Sequence, residues 1–423
     1  MNQIQLAVQL DQLLQAGPNV FLKLEPEMVD FTQTTISLKL LFFSKTYEIS
    51  LELDSENLAE MITFVKSAIF ADENISIICW NIKSLFTYIL AKTHCELECN
   101  CKLLDLKLAE CFIGIRGKAP NSFDEAVARA RKILSDSSWV KFKNIYQRVY
   151  LPLLMDVIPK IETEGVFNTQ KRQILFPCYQ IEGQVNGRLA CQIAYDSCFN
   201  PHSLDEEQKA LLQPKGNGLT FVSFDYMFME VCILAWLSRD ELLMNLVSEK
   251  GDFYKKLFKL VSGTECDTEG KRSFCKDYLF LPVVYGQTAN TLAERAKISM
   301  EIAGKLVYLL KKHFAKLFDW VENYPVSDGV YVDYVGRKGV GGRNFVVQSP
   351  AAMFCLEKLV NLYKSLKNYG SLVAHIDDGY TVQCGQKQVE AVSSLCIKAL
   401  ESESELFPGL NLRVNFKISN TLT

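Results

Sequence analysis

Three acids stand where apolar runs stop. Residues 219–224 (LTFVSF) form a short, largely apolar stretch that reads as a buried strand, and Asp225 sits at its tip. From Met227 the apolar spacing turns helical, through Val231, Ile233, Leu234, Trp236 and Leu237. A second apolar strand, in 371–378 (SLVAHIDD), ends in Asp377 and Asp378, and another strand follows over 379–384. A single aspartate at a helix start is usually an N-cap. Two rigid strand tips far apart in sequence, both ending in carboxylates, suit another task. They fit a pair of divalent cations that clamp the attacking and leaving oxygens of a phosphoryl transfer. On this reading Asp225 and Asp377 are the metal ligands, and Asp378 completes the catalytic acids.

The elements that must position these acids occupy a chain of 423 residues, enough for two or three domains. Its balance of 48% hydrophobic and 22% charged residues is that of a soluble globular protein. No run reaches the length of a membrane span. The start, MNQIQLAVQLDQLLQ, lacks the basic region and cleavage pattern of a signal peptide. Fourteen scattered cysteines without framework spacing point to an intracellular, reducing compartment, cytoplasm or nucleoid. The run His94, Cys95, Cys99, Cys101 fits no zinc spacing and alternates like a strand face. A net charge of −3 argues against a free-standing, tight nucleic-acid binder. Local basic clusters at 255–259, 271–276, 305–316 and 337–343 nevertheless flank the acidic motifs.

Over the first 150 residues the order is three strands, a helix over 57–70, a strand at 75–80, a helix at 82–91 and a strand-to-helix step at 103–112. That order predicts an α/β unit on a mixed sheet. A long helix follows over 139–165. Another amphipathic helix is expected over 299–324, ending at Pro325, and then a hairpin over 329–339. A helix at 389–401 and a strand, LNLRVNFKI, close the chain.

The stretch 225–240 resembles motif A of family A DNA polymerases, the DNA polymerase I type. Asp225, Tyr226, Glu230, Ala235, Leu237, Ser238 and Asp240 match. AHIDDGYTV resembles motif C, with Asp377 on the catalytic acid, Asp378 on the following glutamate and Ile376 where a histidine is usual. The run 271–286 resembles motif B of the fingers helix, in which Arg272, Lys276 and Phe280 keep the spacing of four. Cations four apart on one helical face reach triphosphate oxygens, and an aromatic one turn on stacks on sugar or base. Tyr285 then falls one residue late and Pro282 intervenes, so a kink or bulge is expected. Anchoring on Tyr285 instead places Leu281 at the aromatic position and Asp277 at the lysine position; the Arg272 register supplies two cations and is preferred.

By the same resemblance Arg188, in NGRL, lies near the primer end, and Gln348 reads the minor-groove side of the primer-end pair. Asn344 and Arg337 join them as primer or template contacts. Glu230 held by Tyr285 selects deoxynucleotides, and Tyr226 belongs to the nucleotide site. The first 150 residues resemble a 3′–5′ exonuclease domain in outline, but Lys23 and Leu85 stand where its aspartates belong, and neither holds a metal.

The resemblance implies an α+β fold: an antiparallel palm and helical fingers, preceded by an α/β ribonuclease-H-like exonuclease-type domain. Its divisions are 1–137 (degenerate exonuclease-like), 138–186 (connecting helix and vestigial thumb) and 187–423 (palm and fingers, the fingers about 240–325). It implies a DNA-directed DNA polymerase with two Mg²⁺ (or Mn²⁺) ions, primer-template DNA and deoxynucleoside triphosphates. Only 21 residues separate Gly165 from Gly187, too few for a thumb that grips the duplex. Low processivity and a protein partner are therefore expected. The competing readings are a catalytically weak or inactive subunit on a polymerase fold, and a primer-making or RNA-extending enzyme.

Overall fold

The computed structural model describes residues 19–25, 38–43, 48–53, 70, 71, 73, 75–93, 100–194 and 196–422. The helix expected over 57–70, apart from Phe70, and the run 94–99 lie outside the described residues.

Strands β1 (Asn19–Glu25), β2 (Leu38–Phe43), β3 (Glu48–Leu53), β4 (Ser76–Cys79) and β5 (Lys102–Asp105) form one sheet in the order β3-β2-β1-β4-β5. The β3-β2-β1 half is antiparallel and the β1-β4-β5 half parallel. Parallel neighbours need a crossover, and the Lys83–Thr93 helix supplies it between β4 and β5. Asp105 ends β5 and caps the next helix, accepting from the backbone of Lys107 and Leu108. Its other oxygen accepts from Ile82 N at 2.9 Å, which ties the crossover down.

Residues 139–164 run as continuous helical backbone with two π-type segments, Tyr146–Tyr150 and Leu153–Val157. They flank Pro152, whose missing N–H interrupts the regular ladder. Beyond Gly165 come β6 (Val166–Asn168), β7 (Gln173–Pro177), β8 (Tyr179–Gln180), β9 (Ala190–Cys191), β10 (Cys198–Phe199) and β11 (Leu212–Gln213). Four of these make a small sheet, β10-β7-β6-β11, and β8 pairs with β9. Among the described residues, 165–187 contains no helix.

The central sheet begins with β12 (Leu219–Tyr226). Helical segments fill 229–322, and β13 (Val326–Ser327), β14 (Val330–Val332) and β15 (Lys338–Gly339) make a small hairpin sheet. The helix expected over 299–324 is two helices, Met300–His313 and Ala315–Glu322, broken at Phe314. Buried Asp240 explains the break: it caps the Glu241–Ser248 helix and also accepts from Leu317 N at 3.1 Å. The 22-residue Phe345–Leu366 helix then leads to β16 (Ser371–Ile376), β17 (Gly379–Gly385) and β18 (Val414–Ser419). The sheet order is β16-β17-β12-β18, antiparallel throughout.

Period-two alternation sorts β12. Val222, Phe224 and Tyr226 join the large helical core, whereas Phe221 joins a smaller core with Val166, Leu175 and Leu212. Asp225 shares the parity of Phe221 and stands exposed at the strand end.

Arg337, expected to touch primer or template, has no exposed surface. Its guanidinium pairs with Glu182, donates to the Tyr150 hydroxyl and lies 5.0 Å over the Phe112 ring. A Cβ on Gly187 would fall 2.6 Å from its Nη2, and Gly187 adopts φ +82°. Only glycine fits this approach, and Arg337 thereby props the turn that presents Arg188. Replacing Arg337 with Met leaves Glu182 buried and uncompensated, at a cost of about 3–5 kcal/mol. Chemical denaturation should register that loss, and adding Glu182→Gln should restore more than half of it. Equal stability of R337M and the native chain would refute the buried pair.

Candidate active site

Asp225 lies opposite Gly379 of β17 and Asn415 of β18. The β16–β17 turn is only two residues, Asp377 and Asp378, between Ile376 and Gly379. Asp377 adopts φ +53°, a left-handed conformation that aspartate tolerates better than most side chains. The turn separates the two acids' tasks. Asp378 shares both neighbouring cavities with Asp225, while Asp377 is half exposed and meets Arg188 at 3.5 Å. The sequence paired Asp377 with Asp225; both acids of the turn stand near Asp225, and Asp378 also lines the second cavity that Asp225 lines. All three acids line one cavity.

Burial raises the Asp225 carboxyl above its ordinary range, against Asp378's hydrogen bond and the Lys276 charge, which lower it. Burial, reinforced by Asp225, pushes Asp378 up to about 7. Carboxylates crowded in this way repel one another when ionised. Among the described residues no three His, Cys, Asp or Glu side chains gather into a closed metal cage. Asp225 and Asp378 are a donor set for hard cations that keep water and substrate oxygens as their other ligands.

Two cavities meet at this pair. One, of about 610 Å³, opens toward the fingers and is lined by Glu230, Arg272, Lys276 and Leu281 as well as Asp225 and Asp378. The other, of about 410 Å³, is lined by Lys209, Asn415 and Lys417 together with the three acids. Lys209 and Lys417 were not singled out from sequence, since isolated lysines carry no motif.

The fingers helix reconciles the two registers read from sequence. Glu269–Phe274 is α-helical, Cys275–Leu279 is a π-turn, and Phe280–Val284 is α-helical again. The π-turn absorbs one residue, as Phe280 N donates back to Cys275 O. Pro282 lacks an N–H for the Tyr278 carbonyl, which accepts instead from the Gln287 side chain at 2.8 Å. Arg272 therefore reaches the cleft before the bulge, Lys276 within it and Leu281 after it. Phe280, expected against the nucleotide, is fully buried on Phe253 and Phe314, with ring centroids 5.0 and 5.6 Å away. Tyr226 is likewise a core residue: its ring packs on Phe354 and Tyr380 and its hydroxyl donates to Leu400 O at 2.8 Å. At the cleft it offers only backbone.

Glu230 is the hub of the polar residues above the acids. Tyr285 donates to it at 2.6 Å, Gln348 Nε2 at 3.4 Å, and Arg188 Nη2 lies 3.5 Å away. Arg188 thus bridges Glu230 and Asp377. Asn186 Nδ2 donates to Gln348 Oε1 at 3.4 Å. Asn344 stands at the start of the helix carrying Gln348, and its carbonyl accepts from Gln348 N at 2.9 Å. Arg272 pairs with Asp252 at 2.8 Å and Glu269 at 3.0 Å. His202, which no sequence signal marked, has Nδ1 3.9 Å from Asp377 and a buried Nε2 without a hydrogen-bond partner.

Residues 161–329, from the connecting helix through the fingers, match the description of DNA polymerase family A. That stretch of the chain is similar to DNA polymerase family A. DNA polymerase theta of Caenorhabditis elegans is 23% identical over 224 residues, covering 46% of this chain and 13% of that protein. The thermostable DNA polymerase I of Thermus thermophilus is 25% identical over 221 residues, 47% of this chain and 26% of its own. DNA polymerase I of Aquifex aeolicus is 22% identical over 253 residues, 55% and 43% respectively. The chain thus spans less than half the length of each of these relatives. In fold it is similar to the POL domain of Pol1 from M. smegmatis, solved in complex with DNA primer-template and dNTP. The TM-score is 0.78 at 13% identity, covering 100% of this chain and 98% of that one. The family A assignment spans the strand-tip acid of β12 and the fingers cations but stops before the Asp377–Asp378 turn. Among the described residues no helix is long and apolar enough to cross a membrane.

His375, two residues before Asp377, offers a pH test of the packing behind the acids. Burial, with the nearby His202 charge, pushes its imidazole down to about 4 from an ordinary 6.5. Below pH 6.5 the unfolded chain binds a proton that the folded chain refuses. Stability should be full above pH 6.5 and decline as pH falls toward 4, by roughly 3 kcal/mol in all. His375→Gln should flatten that limb in urea titrations between pH 4 and 7. An unaltered slope would show that the imidazole is not buried in its neutral form.

Proposed function

We propose that the chain is a template-directed DNA polymerase that adds deoxynucleotides to a primer 3′ end, with two divalent cations at Asp225 and the Asp377–Asp378 turn. The observation that carries this is one acid pair lining two cavities, with cations in the lining of each. An in-line displacement needs that arrangement, because nucleophile and leaving group approach the metals from opposite sides. The triphosphate takes the fingers side, where Lys276 and Arg272 face it. The primer terminus takes the side of Lys209 and Lys417.

Asp225 and Asp378 hold the ions, with Asp377 at the rim. A divalent cation held by these acids would supply Lewis acidity, lowering the pKa of the primer hydroxyl and offsetting charge on the leaving pyrophosphate. Arg272 exchanges Asp252 and Glu269 for phosphate oxygens, a swap favoured by its planar, bidentate donors. Tyr285 fixes Glu230 over the sugar position, where the carboxylate excludes a 2′-hydroxyl. Gln348, oriented by Asn186, reaches the minor-groove edge of the terminal pair.

The five-stranded sheet at the start of the chain supports descent from an exonuclease-type unit that no longer cuts. Lys23 lies on β1, and Leu85 is wholly buried on the crossover helix. Neither supplies a carboxylate, so no proofreading is expected. The strands and turns of 165–187 leave no helical grip on the duplex. A partner is expected to supply it.

The pairing of Arg272 in the absence of substrate favours a second reading, a catalytically silent polymerase fold. Primer extension with Mg²⁺ separates the two. Asp225→Asn should lower the rate on the order of 10³-fold. Glu230→Ala should narrow the preference for deoxy- over ribonucleotides by about tenfold or more. Short products in a single encounter, trapped with excess DNA, are expected. A native chain that extends no primer under any of these conditions would leave the silent reading standing.

A further inference from the structure

β16 is an edge strand of the central sheet, and at His375 a side chain takes the place of a neighbouring strand. The Tyr179 hydroxyl accepts from His375 N at 2.7 Å and donates to His375 O at 2.9 Å. One phenol thus satisfies both backbone groups of the residue two before Asp377. The His375 ring spans the turn, with Nδ1 3.0 Å from Gly379 O. Both arms of the acidic turn are tied to one residue, and that residue is tied to Tyr179.

Tyr179 is fixed in its turn. Its N–H donates to Glu162 Oε1 at 2.7 Å, and its carbonyl accepts from Lys83 Nζ at 2.9 Å. Lys83 also pairs with Glu162 Oε1 at 2.7 Å, and Thr87 donates to Glu162 Oε2 at 2.8 Å. All five residues are at most 7% exposed. Lys83 and Thr87 belong to the crossover helix of the first sheet, Glu162 to the connecting helix, and Tyr179 to β8. A continuous buried path therefore runs from the amino-terminal unit to the acids.

A buried Lys–Glu pair rarely adds stability over apolar residues of the same size. Its value lies in position. The carboxylates of the turn and of Asp225 repel one another when ionised, and a two-residue turn at a sheet edge yields to that repulsion unless it is held. We propose that the amino-terminal unit acts as a brace for the metal-binding turn, with Tyr179 as the positioning residue that transmits its hold through His375. This rests on the polymerase reading above and gives the catalytically silent first sheet a task within it.

The test uses the full chain and Mn²⁺ alone as probe, read by electron paramagnetic resonance of the free ion, beside steady-state extension. Tyr179→Phe removes one oxygen atom. It should weaken Mn²⁺ binding about tenfold and lower kcat about tenfold, as loss of outer-shell support does. KM for nucleotide and for primer-template should stay within about twofold, because neither substrate touches Tyr179. Lys83→Met with Glu162→Gln, which removes the ion pair while keeping its bulk, should shift Mn²⁺ affinity in the same direction. A Tyr179→Phe protein with unchanged Mn²⁺ affinity and kcat overturns the brace, even if it melts at a lower temperature. Asp225→Asn tells that failure from a failure of the polymerase reading. If it binds Mn²⁺ like the native chain and the native chain extends no primer, the site itself is misassigned and the brace falls with it.

Discussion

The site answers to one electrostatic constraint: two carboxylates, Asp225 and Asp378, are held side by side at the mouth of a cleft. Such a pair is unfavourable by itself, and folding must impose it. The sheet does so by register. β12 delivers Asp225 opposite Gly379, and the shortest possible turn delivers Asp378 beside it. A longer turn would let the acids part. A shift of one residue would send Asp225 to the helix side of the sheet.

The surrounding cations arrange themselves around that charge without quenching it. Lys276 lowers the Asp225 carboxyl but stands across a cleft. Arg188 divides itself between Asp377 and Glu230 at 3.5 Å each, longer than a committed ion pair. Arg272 is held by acids on the fingers. These are loose or exchangeable contacts in a half-exposed setting, each worth little. By contrast, Arg337–Glu182 and Lys83–Glu162 are fully buried and have no exchange partner. The molecule separates its ion pairs into those that position backbone and those that wait for substrate.

That separation marks what could be read in the sequence. The strand-tip acids were legible because the apolar period changes from two to helical at Asp225, and because two acids follow SLVAHI. The Glu230–Tyr285 contact was legible because the motif supplied both residues. Phe280 was misplaced because a π-turn consumes one residue, and no count of spacing shows where the slack is taken up. Arg337 was misplaced because GRKGVGGR reads as an exposed basic loop; the Glu182 that buries it is 155 positions away. Tyr179 and His202 carried no signal, since their roles arise only when β8 and the 201–203 turn approach β16. A polymerase-type mixed α/β fold was legible from the motif resemblance, whereas the direction in which each functional side chain points was set by distant partners.

The first sheet follows the same logic: its apolar residues are not a separate core. Val20, Phe21 and Leu22 of β1 belong to one contiguous buried cluster that passes through Tyr146, Tyr150 and Ile161 to Val222, Phe224 and Leu412. Removing the unit would strip cover from the connecting helix and hence from the back of the central sheet, at about 25 cal/mol for each Å² of apolar surface exposed. It would also leave Glu162 buried without Lys83. Lys83, Thr87 and Asp105 tie this unit to the connecting helix: Lys83 and Thr87 donate to Glu162, and Asp105 N donates to the Tyr146 hydroxyl.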